Sequence, residues 1–200
     1  MGNELAQITL WRLDRDKYVN EDCCLNGVGA SKTSGRWNKE KEEVVYTSAN
    51  ISLAFLEVYI HLDLHNSSPE NIIEYSSRRI VQIYVDGLDY EEVKIDRLPD
   101  RWREIITSKN PNKPTLLQRI GSKWLRSGIT PVLKVPSAVV PYESNYLINP
   151  RHPDMIGRLS LQNPVSNLKY QGTISTKALP KLFEFDNRYI QNYSRYIQLM

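Results

Sequence analysis

Apolar and polar residues alternate along residues 8–13, which is the period of a β-strand. Arg12 would then point to the face opposite Trp11 and Leu13. Residues 44–47 predict a second strand because they are rich in β-branched and aromatic side chains. Similar patterns predict strands at residues 79–85, 131–135, 144–148, 156–161 and 182–185.

The period changes after residue 50, where the apolar positions form the broad stripe of a helix. We predict a helix over residues 51–64, with Asn50 or Ser52 as its amino-terminal cap. Glu57 lies in the middle of this apolar stretch. A second helical stripe covers residues 114–125, and Gly128 is placed to terminate it.

Two stretches lack a regular period. Residues 26–38 contain Gly, Ser and Thr without a hydrophobic pattern and predict a long loop. Residues 86–114 are acidic and polar, and we predict irregular structure with one helical turn at most. The order of elements therefore predicts a single α+β domain with mixed sheets and flanking helices, rather than regular βαβ alternation.

Length, composition, net charge and cysteine content narrow the class of protein. A chain of 200 residues with 24% charged and 10% aromatic residues has the composition of one globular domain. The net charge of +3 does not indicate nucleic-acid binding, because basic and acidic residues are interleaved. Cys23 and Cys24 are adjacent, which suits neither a disulfide nor a zinc site. With no secretory signal and no apolar run long enough for a bilayer, we predict a cytoplasmic protein.

Ser34-Gly35-Arg36-Trp37-Asn38 is the first stretch with candidate chemistry. A guanidinium beside an indole and an amide offers a fork for an anion next to a stacking surface, which suits a phosphate-bearing aromatic ligand. The structural alternative is a turn at Gly35, a core position for Trp37 and a solvated or ion-paired Arg36. These five residues alone favour that alternative.

Glu57, His61 and His65 follow one another at spacings of four and so lie on one helical face. The spacing is not that of zinc proteases, and we expect the two histidines to serve the helix end rather than a metal. Ser137, between Pro136 and Ala138, is most often a turn hydroxyl. The stretch 145–153 reads by itself as a strand closed by an Asn-Pro turn.

The order and spacing of these motifs resemble RES-domain toxins, the toxin half of bacterial RES/Xre toxin–antitoxin pairs. The likeness covers about residues 8–162, and its most specific part is the block 131–153. The tail 163–200 has no counterpart that we can assign. Arg36, Glu57 and Ser137 match the three residues that give the family its name, and Tyr46 matches the tyrosine that accompanies them.

The resemblance implies a fold similar to that of ADP-ribosyltransferases and an enzyme that degrades NAD by hydrolysis or phosphorolysis. NAD is then a substrate, and no cofactor or metal is expected. Arg36, Tyr46, Glu57 and Ser137 would form the catalytic set. Cleavage at the nicotinamide–ribose bond passes through an oxocarbenium-like centre, which a carboxylate such as Glu57 stabilises. The residues expected to bind substrate are Arg12, Trp37, Asn38 and Asn145.

Two alternatives remain open on the sequence. In the first, the chain transfers ADP-ribose to a protein. In the second, it is a silent binding module in which Arg36 and Glu57 form an ion pair with each other. As partner, the resemblance implies an Xre-like helix-turn-helix antitoxin that covers the cleft and carries the DNA contact. We expect no direct nucleic-acid or membrane binding by this chain, and self-association within the complex stays open.

Overall fold

The computed structural model describes residues 3–5, 8–15, 18–19, 25–61, 78–85, 87–105, 107–110, 112–155 and 174–178. Its strands are β1 Asn3–Leu5, β2 Ile8–Arg15, β3 Val45–Ser48, β4 Arg78–Val85, β5 Leu88–Glu92, β6 Val132–Pro136, β7 Ser144–Ile148 and β8 Ile174–Ala178. Its α-helices are α1 Val28–Ser31, α2 Ile51–His61 and α3 Leu116–Ser127. Short 3-10 helices lie at Ile95–Arg97, Trp102–Glu104 and Pro153–Met155.

Within the described ranges the strands form one sheet of eight in the order β1-β5-β6-β7-β3-β2-β4-β8. Its strand pairs are antiparallel except β5 with β6, which is parallel. Side chains alternate between the two sheet faces, so Val45 lies beside Ile148 on one face and Tyr46 beside Leu147 on the other. The face that carries Tyr46 is the one on which the site is built.

Helix α3 covers part of that face. Its buried residues Leu117 and Trp124 pack with Leu133 and Leu147 of the sheet. Thr115 caps its amino terminus through a reciprocal capping box with the third residue of the helix. Gly128 ends it in the left-handed conformation, as the sequence predicts.

Helix α2 lies over strand β2 on the same face, where Ala54 packs with Leu13 and Ile80. Its cap is Asn50 rather than Ser52, because the Asn50 Oδ1 accepts the Leu53 N–H at 2.8 Å. The predicted start of this helix is confirmed, and residues 62–64 lie outside the described part. The strands predicted at 8–13, 44–47, 79–85, 131–135 and 144–148 are confirmed to within one or two residues at each end.

The α+β class is confirmed, while two local predictions are wrong. Residues 86–114 contain strand β5, whose single buried residue is Leu88. Such a polar strand gives no alternation signal, and it forms because its backbone pairs with β1 and β6. The predicted loop 26–38 contains the single helical turn α1. The strands predicted at 156–161 and 182–185 lie outside the described residues, whereas β8 was not predicted.

Gly121 of α3 provides a test of how the helix supports the site. A Cβ at this position would lie 1.8 Å from the Trp37 carbonyl oxygen, whereas a Cβ at Gly29 meets nothing within 4 Å. We expect Gly121→Ala to lower the free energy of unfolding by about 1–3 kcal/mol or more, because backbone must move apart. Chemical denaturation measures it, with Gly29→Ala as the control. Equal stabilities of the two variants would contradict this packing.

Candidate active site

A cleft of about 420 Å³ opens on the Tyr46 face of the sheet, between α2 and the loop that holds Arg36. This volume is in the usual range for small-molecule sites. Side chains from β2, β3, α2 and β7 line it, together with residues of the 30–38 loop and Thr107. The sequence-predicted residues that line this cleft are Arg12, Arg36, Asn38, Tyr46, Glu57 and Asn145.

Glu57 projects into the cleft from the middle of α2 with 17% of its side chain exposed. Its Oε1 accepts hydrogen bonds from the Ser137 Oγ at 2.7 Å and the Asn145 Nδ2 at 2.6 Å. Its Oε2 lies 3.5 Å from the His61 Nε2. Burial by itself raises the pKa of the Glu57 carboxyl, but the contact with His61 and the hydrogen bonds from Ser137 and Asn145 outweigh burial and lower it. The site therefore holds a fixed carboxylate.

Arg36 reaches the cleft from the loop after α1. Its Nη1 donates to the backbone carbonyls of Arg103 at 3.2 Å and Ile105 at 3.3 Å. Burial lowers the pKa of the guanidinium, and the negative charge of Glu57 opposes that shift. No ion pair joins Arg36 to Glu57, since each has other partners. The alternative in which Arg36 and Glu57 form an ion pair with each other is therefore wrong.

Tyr46 closes a small network at the floor of the cleft. Its hydroxyl donates to the Asn38 Oδ1 at 2.8 Å and accepts the Trp37 N–H at 3.2 Å. Burial raises the pKa of Tyr46, so the phenol stays protonated. A Cβ at Gly35 would lie 2.3 Å from the Asn38 Oδ1, so the network requires glycine there. Tyr46 thus fixes the loop that carries Arg36.

Arg12 lines the cleft, but its guanidinium is largely occupied. Its Nε and Nη2 donate to the Asp14 Oδ2 at 3.0 and 2.8 Å, and its Nη1 donates to the Tyr46 carbonyl at 3.0 Å. Asp14 therefore offsets its charge. Two strands are joined in this way, β2 through Arg12 and β3 through the Tyr46 backbone.

Three of the residues predicted for the site are buried: Ser137, Asn38 and Trp37. Ser137 is fully buried, and its Oγ accepts the N–H groups of Val139 and Val140, which directs its proton to Glu57. Asn38 is also fully buried and its amide donates to loop carbonyls such as that of Ala30. Trp37 is 3% exposed and packs in the core with α3. These residues support the groups that face the cleft.

Sequence reasoning missed several residues of the site. His61 lines the cleft beside Glu57, and its spacing of four from Glu57 was the available signal. Ser48 donates to the Asn145 Oδ1 at 2.8 Å and so orients the amide that holds Glu57. Thr107 and the carbonyl of Arg103 come from the stretch predicted to be irregular, which carries no pattern that would place them.

No group of three or more His, Cys, Asp or Glu side chains that could hold a metal occurs among the described residues. His65 lies outside them, and so do Cys23 and Cys24. His152 is buried, and its Nδ1 accepts the Asp154 N–H at 3.2 Å. In the part of the chain that the structure covers, no helix is long and apolar enough to cross a membrane.

The Ser137 hydroxyl allows a direct test of how the carboxylate is held. We expect Ser137→Ala to raise the pKa of the Glu57 carboxyl, because a donor to the ionised form is lost. NMR titration of the Glu57 side-chain carboxyl carbon measures the change, and Ser52→Ala on the exposed side of α2 is the control. An unchanged Glu57 pKa in Ser137→Ala would contradict the assigned hydrogen bond.

The same shift has a consequence for stability. The lowered pKa of Glu57 means that its carboxylate stabilises the fold above the unfolded-state pKa, and this contribution is lost as the pH falls through the folded-state pKa. In Ser137→Ala the folded-state pKa is higher. The acid-induced loss should therefore be smaller and complete at a higher pH, as urea denaturation across the acid range would show.

Comparison with known proteins gives consistent matches. The RES domain family model matches residues 9–170. Toxin Res of Photorhabdus laumondii subsp. laumondii is 35% identical over 147 residues, covering 72% of this chain and 83% of that protein. The Prs ADP-ribosylating toxin of a Sphingobium species is 36% identical over 152 residues, covering 74% and 86% respectively.

A solved structure shares the fold. The chain superimposes on a chain of the M. tuberculosis MbcT–MbcA toxin–antitoxin complex with a TM-score of 0.56 at 17% identity, covering 90% of this chain and 88% of that one. The family match includes every residue described above as lining the cleft, from Arg12 to Asn145. This chain therefore belongs to the RES-domain family.

Proposed function

We propose that this protein is the toxin of a toxin–antitoxin pair and that it depletes NAD by cleaving the nicotinamide–ribose bond, with water or phosphate as acceptor. Relatives at 35% and 36% identity are named as toxins, and one of those names specifies ADP-ribosylation. Loss of NAD would arrest growth. The argument from this chain's own residues rests on the charges of the cleft.

The observation that carries the proposal is the separation of two opposite charges that share one cleft. Arg36 and Glu57 both line it, and neither neutralises the other. Arg12 adds little net charge because Asp14 pairs with it. A ligand that is anionic at one part and cationic at another fits such a site. NAD has a diphosphate and a positively charged nicotinamide ring, and so has this distribution.

The guanidinium of Arg36 is suited to the diphosphate. Its Nη1 is directed to backbone carbonyls, and among the described residues its Nε and Nη2 have no protein partner. A guanidinium presents two parallel donors to a pair of anionic oxygens. Arg36 therefore keeps a fork available for phosphate oxygens while the carbonyls fix its position.

Glu57 is suited to the reacting ribose. As the nicotinamide leaves with the bonding electron pair, positive charge develops at the ribose C1′, and a fixed carboxylate nearby stabilises it. Ser137 and Asn145 hold Oε1, so the carboxylate needs little reorganisation when charge develops. The Ser137 Oγ is buried and committed to three hydrogen bonds, so we assign it to positioning and expect no covalent intermediate on it.

An antitoxin is the proposed partner. One solved structure that shares the fold is a toxin–antitoxin complex, which supports an antitoxin partner. We propose a protein of the Xre-like helix-turn-helix class, with the DNA contact made by the antitoxin. The interleaved charges of this chain, with a net charge of +3, favour that division of labour.

Nicotinamide release from NAD tests the proposal. We expect Glu57→Gln to lower the rate constant of release by on the order of 100-fold, because charge stabilisation is lost in the transition state. Arg36→Ala should mainly raise the KM, by about 10-fold to 100-fold, because charge-assisted bonds to phosphate are lost. The purified chain, free of any antitoxin, is incubated with NAD and free nicotinamide is quantified.

Matched controls are Glu40→Gln and Arg119→Ala, both exposed and away from the cleft. They should leave release unchanged. If the wild-type chain releases no nicotinamide in phosphate or in phosphate-free buffer, simple NAD cleavage is wrong. Equal rates for wild type and Glu57→Gln would remove the role given to the carboxylate.

Transfer of ADP-ribose to a protein is the second candidate. The relative named as an ADP-ribosylating toxin favours it, at 36% identity over 74% of this chain. The first bond-breaking step would be the same, and only the acceptor would differ. Arg36 and Glu57 would keep their roles.

The acceptor is identified by following the adenosine half of labelled NAD in a bacterial lysate. For hydrolysis or phosphorolysis we expect the label in free ADP-ribose or its 1-phosphate, since the cleft is open to small acceptors. Label retained on protein after denaturation would favour the transferase, provided Glu57→Gln abolishes it. Phosphate dependence of the free products separates phosphorolysis from hydrolysis.

A further inference from the structure

His61 stands at the end of the described part of α2, one helical turn beyond Glu57. Its side chain is 68% exposed, yet it also lines the cleft. It is not required by the core, because the buried residues of α2 are Leu53 and Ala54. An exposed imidazole at the mouth of a cleft, next to a fixed carboxylate, is a candidate for proton transfer.

The two oxygens of Glu57 are not equivalent. Oε1 carries the short hydrogen bonds from Ser137 and Asn145, whereas Oε2 faces the His61 Nε2 at 3.5 Å. At this distance the direct contact is at the limit of a hydrogen bond. An oxygen atom that lies beside the pair, at the apex of a triangle with Oε2 and Nε2, can instead form a hydrogen bond of ordinary length to each of them. The pair is therefore arranged to hold a small hydroxylic molecule.

We propose that His61 is the general base that activates the attacking water in NAD cleavage, an inference that rests on the function proposed above. The water oxygen forms the bond to the ribose C1′ as the C1′–N bond to nicotinamide breaks and its electron pair leaves with the ring. The water proton moves to the His61 Nε2. Bulk solvent then takes it from the exposed imidazole, and the products are ADP-ribose, nicotinamide and one proton.

The surrounding charges favour this direction of transfer. The Glu57 carboxylate on the same helix lies 3.5 Å from the imidazole, and Asp14 of β2 offsets the cation of Arg12. Among the described residues that line the cleft, Arg36 from the 30–38 loop is the other permanent cation, and its Nη1 donates to the carbonyls of Arg103 and Ile105. Tyr46 of β3 is neutral, and its hydroxyl already donates to Asn38.

The assignment predicts a difference between acceptors. Water must lose a proton to attack, so hydrolysis needs the base. Hydrogenphosphate already carries an anionic oxygen and can attack without one. Removal of the imidazole should therefore reduce hydrolysis much more than phosphorolysis, and in phosphate buffer the product ratio should shift from ADP-ribose toward its 1-phosphate.

The experiment compares wild type, His61→Gln and His61→Ala in the nicotinamide-release assay, in phosphate-free buffer. We expect both variants to lose about 100-fold in kcat with little change in KM, which is the usual contribution of a general base. Added imidazole should restore His61→Ala in a concentration-dependent way, because the position is open to solvent. Ile60→Ala, its exposed neighbour on α2, is the control and should behave like wild type.

Each outcome decides the point. Loss of hydrolysis with rescue by imidazole supports the base. Activity of both His61 variants within about threefold of wild type overturns the inference and leaves NAD cleavage standing. Loss without rescue, equal for water and phosphate and accompanied by a lower melting temperature, also overturns it in favour of a structural role. A wild type that releases no nicotinamide with either acceptor removes the proposed function itself, and this inference with it.

Discussion

A single buried amide fixes the parts of the chain that form the site. Gln118 of α3 is fully buried, and its Oε1 accepts the Thr115 N–H at 2.9 Å as part of the helix cap. Its Nε2 donates to the Gly35 carbonyl at 3.1 Å and to the Ser108 carbonyl at 2.9 Å. A buried amide without hydrogen-bond partners destabilises the folded state, so the Gln118 side chain and the groups bonded to it must keep their positions together. Helix α3, the Arg36 loop and the 107–110 segment are thereby held in one arrangement.

The carboxylate side of the cleft is built on the same principle. Glu57 comes from a helix, Ser137 from the end of strand β6 and Asn145 from strand β7, and all three meet at Oε1. Because the donors come from the sheet, a shift of α2 along it would break both bonds. A group held on regular elements is positioned more accurately than one on a free loop. The functional carboxylate and the helix position thus depend on each other.

The sequence could predict elements that are rich in apolar residues, such as α2, α3 and strand β4, because these elements bury apolar side chains in the core on either face of the sheet. It could not predict β5, which forms through its neighbours' backbone hydrogen bonds and has one buried side chain. From a family resemblance it could also name six residues that line the cleft, although it missed others such as His61 and Thr107. Which of these residues offer free groups to a ligand, and which hold other residues in place, depended on hydrogen-bond partners distant in sequence.

Asn38 and Arg12 illustrate that limit. Both line the cleft, yet the Asn38 amide donates its hydrogen bonds to loop carbonyls. The Arg12 guanidinium likewise donates to Asp14 and to the Tyr46 carbonyl. Asp14 is only two residues from Arg12, so alternation on one strand face could have suggested their pairing. Trp37 was open to two interpretations, stacking surface or core, and the structure places it in the core against α3.

The way each cation is held explains the polarity of the cleft. Carbonyl groups fix Arg36 through dipoles and leave its full positive charge, whereas a carboxylate partner would cancel it, as Asp14 does for Arg12. Partial burial strengthens the field of such an uncompensated charge, because less water screens it. Glu57 is likewise held mainly by neutral donors, Ser137 and Asn145. Two full charges of opposite sign therefore persist in one cleft, and they persist because uncharged groups fix both of them in position.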